Sequence, residues 1–397
     1  MKILIMNDFL LEGGAEIYVI NLVKLLEENG HDVKLISFDN EFEEKVNKIE
    51  LNKNNLFNIK ISNKLNKIIF FWSTYKKIRK KINEICPDKI IVNNFFSAPF
   101  AQYKALKKYD SYQVVHDYHF ICPKSTCIED NLNICAGYKN KKCLKNCNYH
   151  SSKLILLLKK IQTYRLEKIR KKYIKQFISP SECLTKYLLS YNYDAICANN
   201  PIDTHTFKKG EFSPKKLEKK RKLIYVGMIN EKKGIFKFLD SYLEFIEKNE
   251  NIDLNIIGKC TDIEDEKRLE KYLNNKNIKY LGMKTNKEVI ELLEESQFMV
   301  VPSLWMENYP TTVLEGMLSG NLVLGSNRGG ISDMLANNRG ILFDITNTNS
   351  ILKVLNKISI IEDKEYSTIV TNAFNYTKNN NSYKNYYKKI MGVINDV

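Results

Sequence analysis

Two glutamates, Glu307 and Glu315, share the stretch from Trp305 to Met317, directly after the apolar run Phe298–Ser303. The run reads as a buried parallel strand. Pro310 suits the opening of a helix, where its missing N–H is not needed. Glu307 then lies in the loop at the strand's carboxyl end and Glu315 in the first turns of the helix, where open α/β sheets bind ligands. The amides near Thr311 and Thr312 suit a phosphate, because the first N–H groups of a helix have no internal partner. Two carboxylates would repel the phosphate itself, so their chemistry is hydrogen bonding to the hydroxyl groups of a sugar or ribose. The plain alternative is a surface loop followed by an ordinary amphipathic helix.

The surrounding elements alternate between strand and helix. Lys2–Asn7 reads as a strand, followed by a loop with Gly13 and Gly14, a helix from Ala15 to Glu28 that Gly30 stops, and a strand at Asp32–Phe38. Ile17, Ile20, Leu22, Val23, Leu25 and Leu26 define that helix's buried side. Further strands fall at Asp88–Asn93, Tyr112–His116, Gln176–Ser179 and Asp194–Ala198. A second series has strands at Leu223–Gly227, Asp253–Ile257, Ile278–Leu281, Phe298–Val301, Leu322–Gly325 and Gly340–Phe343. Alternation of this kind predicts α/β architecture: two Rossmann-like, doubly wound parallel-sheet domains facing a cleft. The expected divisions are an N-terminal domain over 1–200, a linker over 201–221 where Pro201, Gly210 and Pro214 interrupt the pattern, and a C-terminal domain over 222–378. A last segment, 379–397, forms a helix that folds back towards the first domain.

Glycines mark the strand ends without forming a dinucleotide or P-loop fingerprint, so neither cofactor class is supported. Gly227, Gly258, Gly282 and the pair Gly329–Gly330 lie at or just after strand ends in the second half. A row of glycines on one sheet edge suggests a nucleotide lying across it, and Lys233, beside Gly234, is placed to meet a diphosphate. Any one of these glycines, or the lysine, taken singly is better read as structural; the row of them is the signal.

The chain has 397 residues, enough for two cores, and a formal net charge of +16. That charge favours phosphate-bearing partners, but no nucleic-acid-binding motif accompanies it. No signal peptide is visible, and no apolar run reaches the ~18 residues of a membrane span. The stretch Lys153–Lys172 reads as a helix with an apolar side and a basic side, suited to an anionic membrane surface. Cys122, Cys127, Cys135, Cys143 and Cys147 share one stretch with His116, His119 and His150. In a reducing compartment disulfides are not expected there. A structural zinc held by Cys127, Cys135, Cys143 and Cys147 is one reading, and a loop of reduced thiols is the other.

Taken in order, these segments resemble the retaining glycosyltransferases of family 4, which have the two-lobed GT-B fold. Gly13 to Glu16 resembles the family's glycine loop, Val115 to Asp117 its histidine strand end, and Ile178 to Glu182 its interlobe strand. Asn200 to Asp203, with Phe207 beyond, is similar to the family's Asn-Gly-Val-Asp element, with Pro201 in place of glycine. Gly227 to Gly234 resembles the phosphate segment, Glu307 and Glu315 the Glu-x7-Glu motif, and Gly329–Gly330 the glycine pair after it.

The resemblance implies transfer of a sugar from a nucleotide-diphosphate-sugar, a UDP- or GDP-sugar, to a glycan or lipid-linked acceptor of a cell-surface polysaccharide, lipopolysaccharide or glycolipid. It implies that Glu307, His116 and Lys233 serve the reaction. Glu315, Gly227, Gly258, Thr311 and Thr312 would hold the donor, and Gly13 and Gly14 the acceptor and diphosphate, with no catalytic metal or other cofactor. With no visible signal peptide and the basic, apolar-sided helix at 153–172, a cytoplasmic enzyme, peripheral on the inner face of the plasma membrane, is expected. Met228 departs from the pattern, standing where the family usually has an arginine for the diphosphate; Lys232, Lys259 and Arg328 are candidate substitutes. The rival readings are a nucleotide-sugar epimerase of the same fold and a catalytically idle binding partner.

Overall fold

The computed structural model describes residues 1–395 apart from 11–13, 62, 148–151, 205–206, 208–211 and 250. Gly13 and His150 therefore lie outside the described residues. The chain divides into two compact units. Unit 1 holds Met1–Asn131, Cys135–Ala198 and the residues from Tyr387, and unit 2 holds Leu132–Ile134 and Asn199–Tyr386.

Among the described residues, unit 1 contains β1 (Lys2–Asn7), β2 (Asp32–Ser37), β3 (Leu56–Asn58), β4 (Lys89–Val92), β5 (Ser111–Val114), β6 (Gln176–Ser179) and β7 (Ala195–Cys197). They lie in the order β3-β2-β1-β4-β5-β6-β7, all neighbours parallel. Unit 2 contains β8 (Arg221–Val226), β9 (Ile252–Ile257), β10 (Ile278–Gly282), β11 (Phe298–Val301), β12 (Leu322–Ser326) and β13 (Ile341–Phe343), in the order β10-β9-β8-β11-β12-β13, again parallel. The order reverses direction between β1 and β4 and between β8 and β11. Those are the points where the loops at the carboxyl ends of the strands part and leave a crevice for a ligand.

Burial on both faces explains why the central strands are apolar without alternation. Ile3 to Met6 of β1 and Phe298 to Val300 of β11 are fully buried. In unit 2 the two faces separate residue by residue. Leu223, Tyr225, Phe298 and Val300 pack on one side with the helix Ile235–Ile246, whereas Ile224, Met299 and Val301 pack on the other with Val313, Leu314 and Met317. Parallel sheets with helices on both faces, expected from the alternation, are thus present in both units.

Three local expectations need correction. β3 was not predicted: three residues in an Asn- and Lys-rich stretch give too short a pattern to read. Ile17 is 56% exposed, because the helix Gly14–Glu28 buries the stripe through Tyr18, Val19, Leu22, Val23 and Leu26. Pro310 is the N-cap of the helix Thr311–Leu318, with extended backbone, one residue before the helix begins. Where it is described, the segment 201–221 packs on unit 2. Phe212 stacks on Phe374 with centroids 4.1 Å apart, and Lys215 Nζ donates to the carbonyls of Leu293 and Ser296 at 2.7 and 2.5 Å.

Candidate active site

The switch point of unit 2 brings two sequence-distant loops together. After β8, a 3-10 turn Glu231–Lys233 is capped by the Asn230 side chain, which accepts from the Lys233 amide at 2.9 Å. After β11, the chain passes through Ser303 and Trp305 to Glu307. Lys233 Nζ donates to Glu307 Oε1 at 2.7 Å, and the same oxygen accepts from Ser303 Oγ at 2.7 Å and Trp305 Nε1 at 2.5 Å. Glu307 is 8% exposed, so one of its oxygens is fully committed within the protein. Trp305 also places its ring 4.8 Å from Lys233 Nζ, a second attraction on the same cation.

The Glu307 backbone is held from β12. It forms an isolated parallel bridge with Gly329, and the Gly330 amide donates to the Glu307 carbonyl at 2.7 Å. Gly329 has φ +60, and a Cβ there would lie 2.1 Å from the Glu307 carbonyl oxygen. Only glycine permits this approach. Gly258 is similar but for a reason internal to the sheet edge, since its Cβ would lie 1.8 Å from the Gly227 carbonyl oxygen. The contact between Gly227 and Gly258 is sufficient to explain the glycine at 258 without a ligand.

Glu315 is half-buried in the helix Thr311–Leu318, and its carboxylate has no hydrogen-bond or ion-pair partner among the described residues. Burial pushes its carboxyl above the usual carboxylate range. No side chain caps this helix. The amide of Val313 is bonded to the Pro310 carbonyl at 3.1 Å, while those of Thr311 and Thr312 have no acceptor among the described residues. An open carboxylate and two open amides therefore stand on one short helix. Met228 is 49% exposed, and its carbonyl accepts from Tyr225 Oη at 2.6 Å. Of the candidate substitutes, Lys232 and Lys259 are exposed. Arg328, in the loop after β12, is buried, with Nη1 unpartnered among the described residues.

In unit 1, His116 follows β5, with Nε2 2.9 Å from Asn93 Oδ1 and its ring edge-on to Tyr18 at 4.9 Å. Burial pulls its pKa down to about 4, so it is neutral near pH 7. With Oδ1 of Asn93 as acceptor, Nε2 carries the proton and Nδ1 presents a lone pair. Gly14 opens its helix, and a Cβ there would meet nothing within 4 Å, so no protein contact demands glycine.

Sequence reasoning missed Asp8, which directly follows β1 at the switch point of unit 1. It is completely buried, accepts from the Phe96 amide at 2.5 Å, from Gln102 Nε2 at 2.6 Å and from the Ser97 amide, and thereby fixes the loop after β4. Burial raises its pKa to about 6 despite those bonds. Only its position just past the strand end hinted at this role.

Of the two readings of the cysteine stretch, zinc finds no support among the described residues. Cys127, Cys135, Cys143 and Cys147 are buried and free, and no group of three or more His, Cys, Asp or Glu could hold a metal ion. Burial pushes all four thiols up, Cys147 to about 11, so they are neutral near pH 7 in the metal-free chain. Cys122 differs. A hydrogen bond from Cys127, aided by backbone amides, holds its thiol down to about 6 against the effect of burial.

The fold has known counterparts. Residues 12–206 match the profile of Glycosyltransferase Family 4, and residues 207–376 that of Glycosyl transferases group 1. The chain belongs to the family 4 glycosyltransferases, with the GT-B fold, and is a glycosyltransferase. It is 24% identical to an uncharacterized 42.6 kDa protein in the cps region of Klebsiella pneumoniae, over 85% of this chain and 88% of that one. Among solved structures it is similar to Anabaena HepE in complex with UDP, with a TM-score of 0.74 and 13% identity over the whole of both chains. It is also similar to the lipopolysaccharide outer core galactosyltransferase WaaB, with a TM-score of 0.69 and 16% identity over all of this chain and 99% of that one.

Proposed function

We propose that this glycosyltransferase is retaining. It moves a sugar from a nucleotide-diphosphate-sugar, a UDP-sugar in the first place, to a glycan or lipid-linked acceptor of a cell-surface polysaccharide or lipopolysaccharide. The observation that carries the reading is the Lys233–Glu307 pair at the unit 2 switch point, together with the unpartnered carboxylate of Glu315 on the helix that follows. The solved Anabaena HepE complexes with UDP and with UDP-glucose support the donor class. The cps-region relative and the lipopolysaccharide galactosyltransferase support the pathway.

In this reading the amides of Thr311 and Thr312 receive a phosphate oxygen, and Glu315 receives the ribose hydroxyls. Glu307 uses Oε1 to hold Lys233 and offers Oε2 to a hydroxyl of the donor sugar. Lys233 keeps further N–H donors for the diphosphate, whose negative charge grows as the sugar–phosphate bond breaks; a fixed cation stabilises that transition state. The acceptor hydroxyl oxygen bonds to the anomeric carbon on the face the phosphate leaves, and its proton passes to the departing phosphate oxygen. In unit 1, the neutral His116 offers Nδ1 to a sugar hydroxyl.

The site of work is the cytoplasmic side of an anionic membrane surface. No described helix is long and apolar enough to cross a membrane, but the helix Lys153–Tyr173 exposes Leu154, Leu157, Leu158 and Ile161 among its lysines.

A thermal-shift panel of UDP, GDP, ADP, TDP and CMP, run on the wild type and on Glu315→Ala, tests the reading. A nucleotide at 100 times its Kd stabilises the native state by about 2.7 kcal/mol. UDP should shift the wild type and not the variant. No shift with any nucleotide would instead favour the idle-partner reading.

A further inference from the structure

Unit 1 contains a cavity of about 640 Å³ that the donor chemistry does not use. This is within the range of small-molecule sites. It lies between the helix Lys153–Tyr173, the 3-10 turn Lys64–Lys67, the loop after β4 and the 3-10 turn Tyr118–Phe120 after β5, at the carboxyl edge of the sheet.

Its charge is one-sided. Lys64, Lys67, Lys159, Arg165 and Arg170 line it, and no aspartate or glutamate does. Arg170 is 1% exposed; its Nε donates to Tyr103 Oη at 3.2 Å, its guanidinium lies beside the Tyr193 hydroxyl and 3.8 Å from the Phe120 ring, and Nη1 is buried with no well-aligned hydrogen-bond partner among the described residues. No carboxylate pairs with Arg170 among the described residues. His119 contributes a second such atom: Nδ1 is bonded to Asp117, and Nε2 is buried without a partner among the described residues. A buried guanidinium without a counter-charge is costly, and unpartnered buried nitrogens are rare enough to require a reason. An anion with several acceptor oxygens supplies both the charge and the bonds.

The rest of the lining is hydrocarbon. Phe95, Phe96, Ile68, Ile155, Leu158 and Ile161 line the same cavity, and the last three, with Ile68, are exposed. Gln162 Nε2 donates to the Lys67 carbonyl at 2.7 Å, tying the two apolar rims together. A free inorganic or sugar phosphate gains nothing from such a wall, whereas an amphiphile gains from both parts.

We propose that this cavity binds a lipid bearing a phosphate or diphosphate head, the lipid carrier of the acceptor. The head lies against Arg170 and His119 and the chain along Ile155, Leu158 and Ile161. The proposal rests on the transferase reading above and narrows its acceptor to the lipid-linked class.

The test is calorimetric titration of the full chain with farnesyl diphosphate, inorganic diphosphate and farnesol. Two variants of exposed residues are compared, Leu158→Gln with Ile161→Gln, and Lys67→Gln with Arg165→Gln. Farnesyl diphosphate should bind at least tenfold more tightly than either fragment, and each double variant should weaken it at least tenfold, with the UDP thermal shift unchanged. Absence of binding, unchanged affinity in both variants, or inorganic diphosphate or farnesol binding as tightly as farnesyl diphosphate would overturn the proposal. Farnesyl diphosphate binding in a chain that no nucleotide stabilises would retain the lipid site and reject the transferase reading instead.

Discussion

Lys233 and Glu307 meet at 2.7 Å although they lie on loops after different strands, β8 and β11, which are neighbours only because the sheet order reverses there. The pair is part-buried, with side chains 27% and 10% exposed, and Glu307 is additionally bonded to Ser303 and Trp305. Removing Lys233 leaves a buried carboxylate with two neutral donors. A double-mutant cycle of Lys233→Met and Glu307→Gln should give a stability coupling of about 1–2 kcal/mol. Both single variants should lower kcat, which steady-state transfer assays would read; a coupling near zero would contradict the ion pair.

Glu315 should behave in the opposite way. Its carboxylate is half-buried and unpartnered, so Glu315→Ala removes a desolvated charge and no protein bond. The unfolding free energy of the variant should stay within about 0.5 kcal/mol of the wild type, while nucleotide affinity falls at least tenfold. Equal losses of stability and affinity would make Glu315 a structural residue.

Gly329→Ala should be severe, because the new Cβ would meet the Glu307 backbone oxygen at 2.1 Å and neither side is a flexible side-chain end. A loss of about 2–4 kcal/mol is expected by urea denaturation. Gly14→Ala, with nothing within 4 Å, should leave stability within about 0.5 kcal/mol, so any loss of activity there would report on a ligand.

Asp8 and His116 should give opposed pH dependences. The Asp8 carboxyl is raised from 3.8 to about 6, so its contribution is fully present below pH 4 and lost as pH rises to 6. His116 is lowered from 6.5 to about 4, so its contribution is present above pH 6.5 and lost as pH falls to 4. Each spans roughly 3 kcal/mol at most, and in the wild type the two largely cancel between pH 4 and 6. Asp8→Asn should therefore gain stability with rising pH across that window, and His116→Gln should lose it. Parallel slopes in the two variants would refute this account.

Elemental analysis of the purified chain should find less than a tenth of a zinc per chain, and a chelator should leave Tm unchanged. Stoichiometric zinc would show that the buried thiols rearrange into a site.

Much of this was legible in the sequence. The apolar runs of β1 and β11 and the helical spacing of Leu22, Val23 and Leu26 are local signals, and their alternation dictates two parallel doubly wound sheets. Glu307, Glu315, Lys233 and the glycines at strand ends could be placed on one edge of unit 2 because strand direction alone decides which loops lie there. β3 was not legible because three residues on a sheet edge carry no period, and the exposure of Ile17 depends on which stripe of its helix the sheet covers.

What only the tertiary structure decided are contacts and desolvation. That Glu307 spends one oxygen on Lys233, that Glu315 has none spent, and that Asp8 is buried among the amides after β4 all depend on chain segments brought together by sheet order. The cysteines were a metal candidate by composition and four buried, neutral thiols by packing. Arg170 was one of several basic residues on a helix, and only the fold placed it in a cavity without an acid. Sequence spacing carries local periodicity, whereas pairing and solvent exclusion arise between residues far apart in the chain.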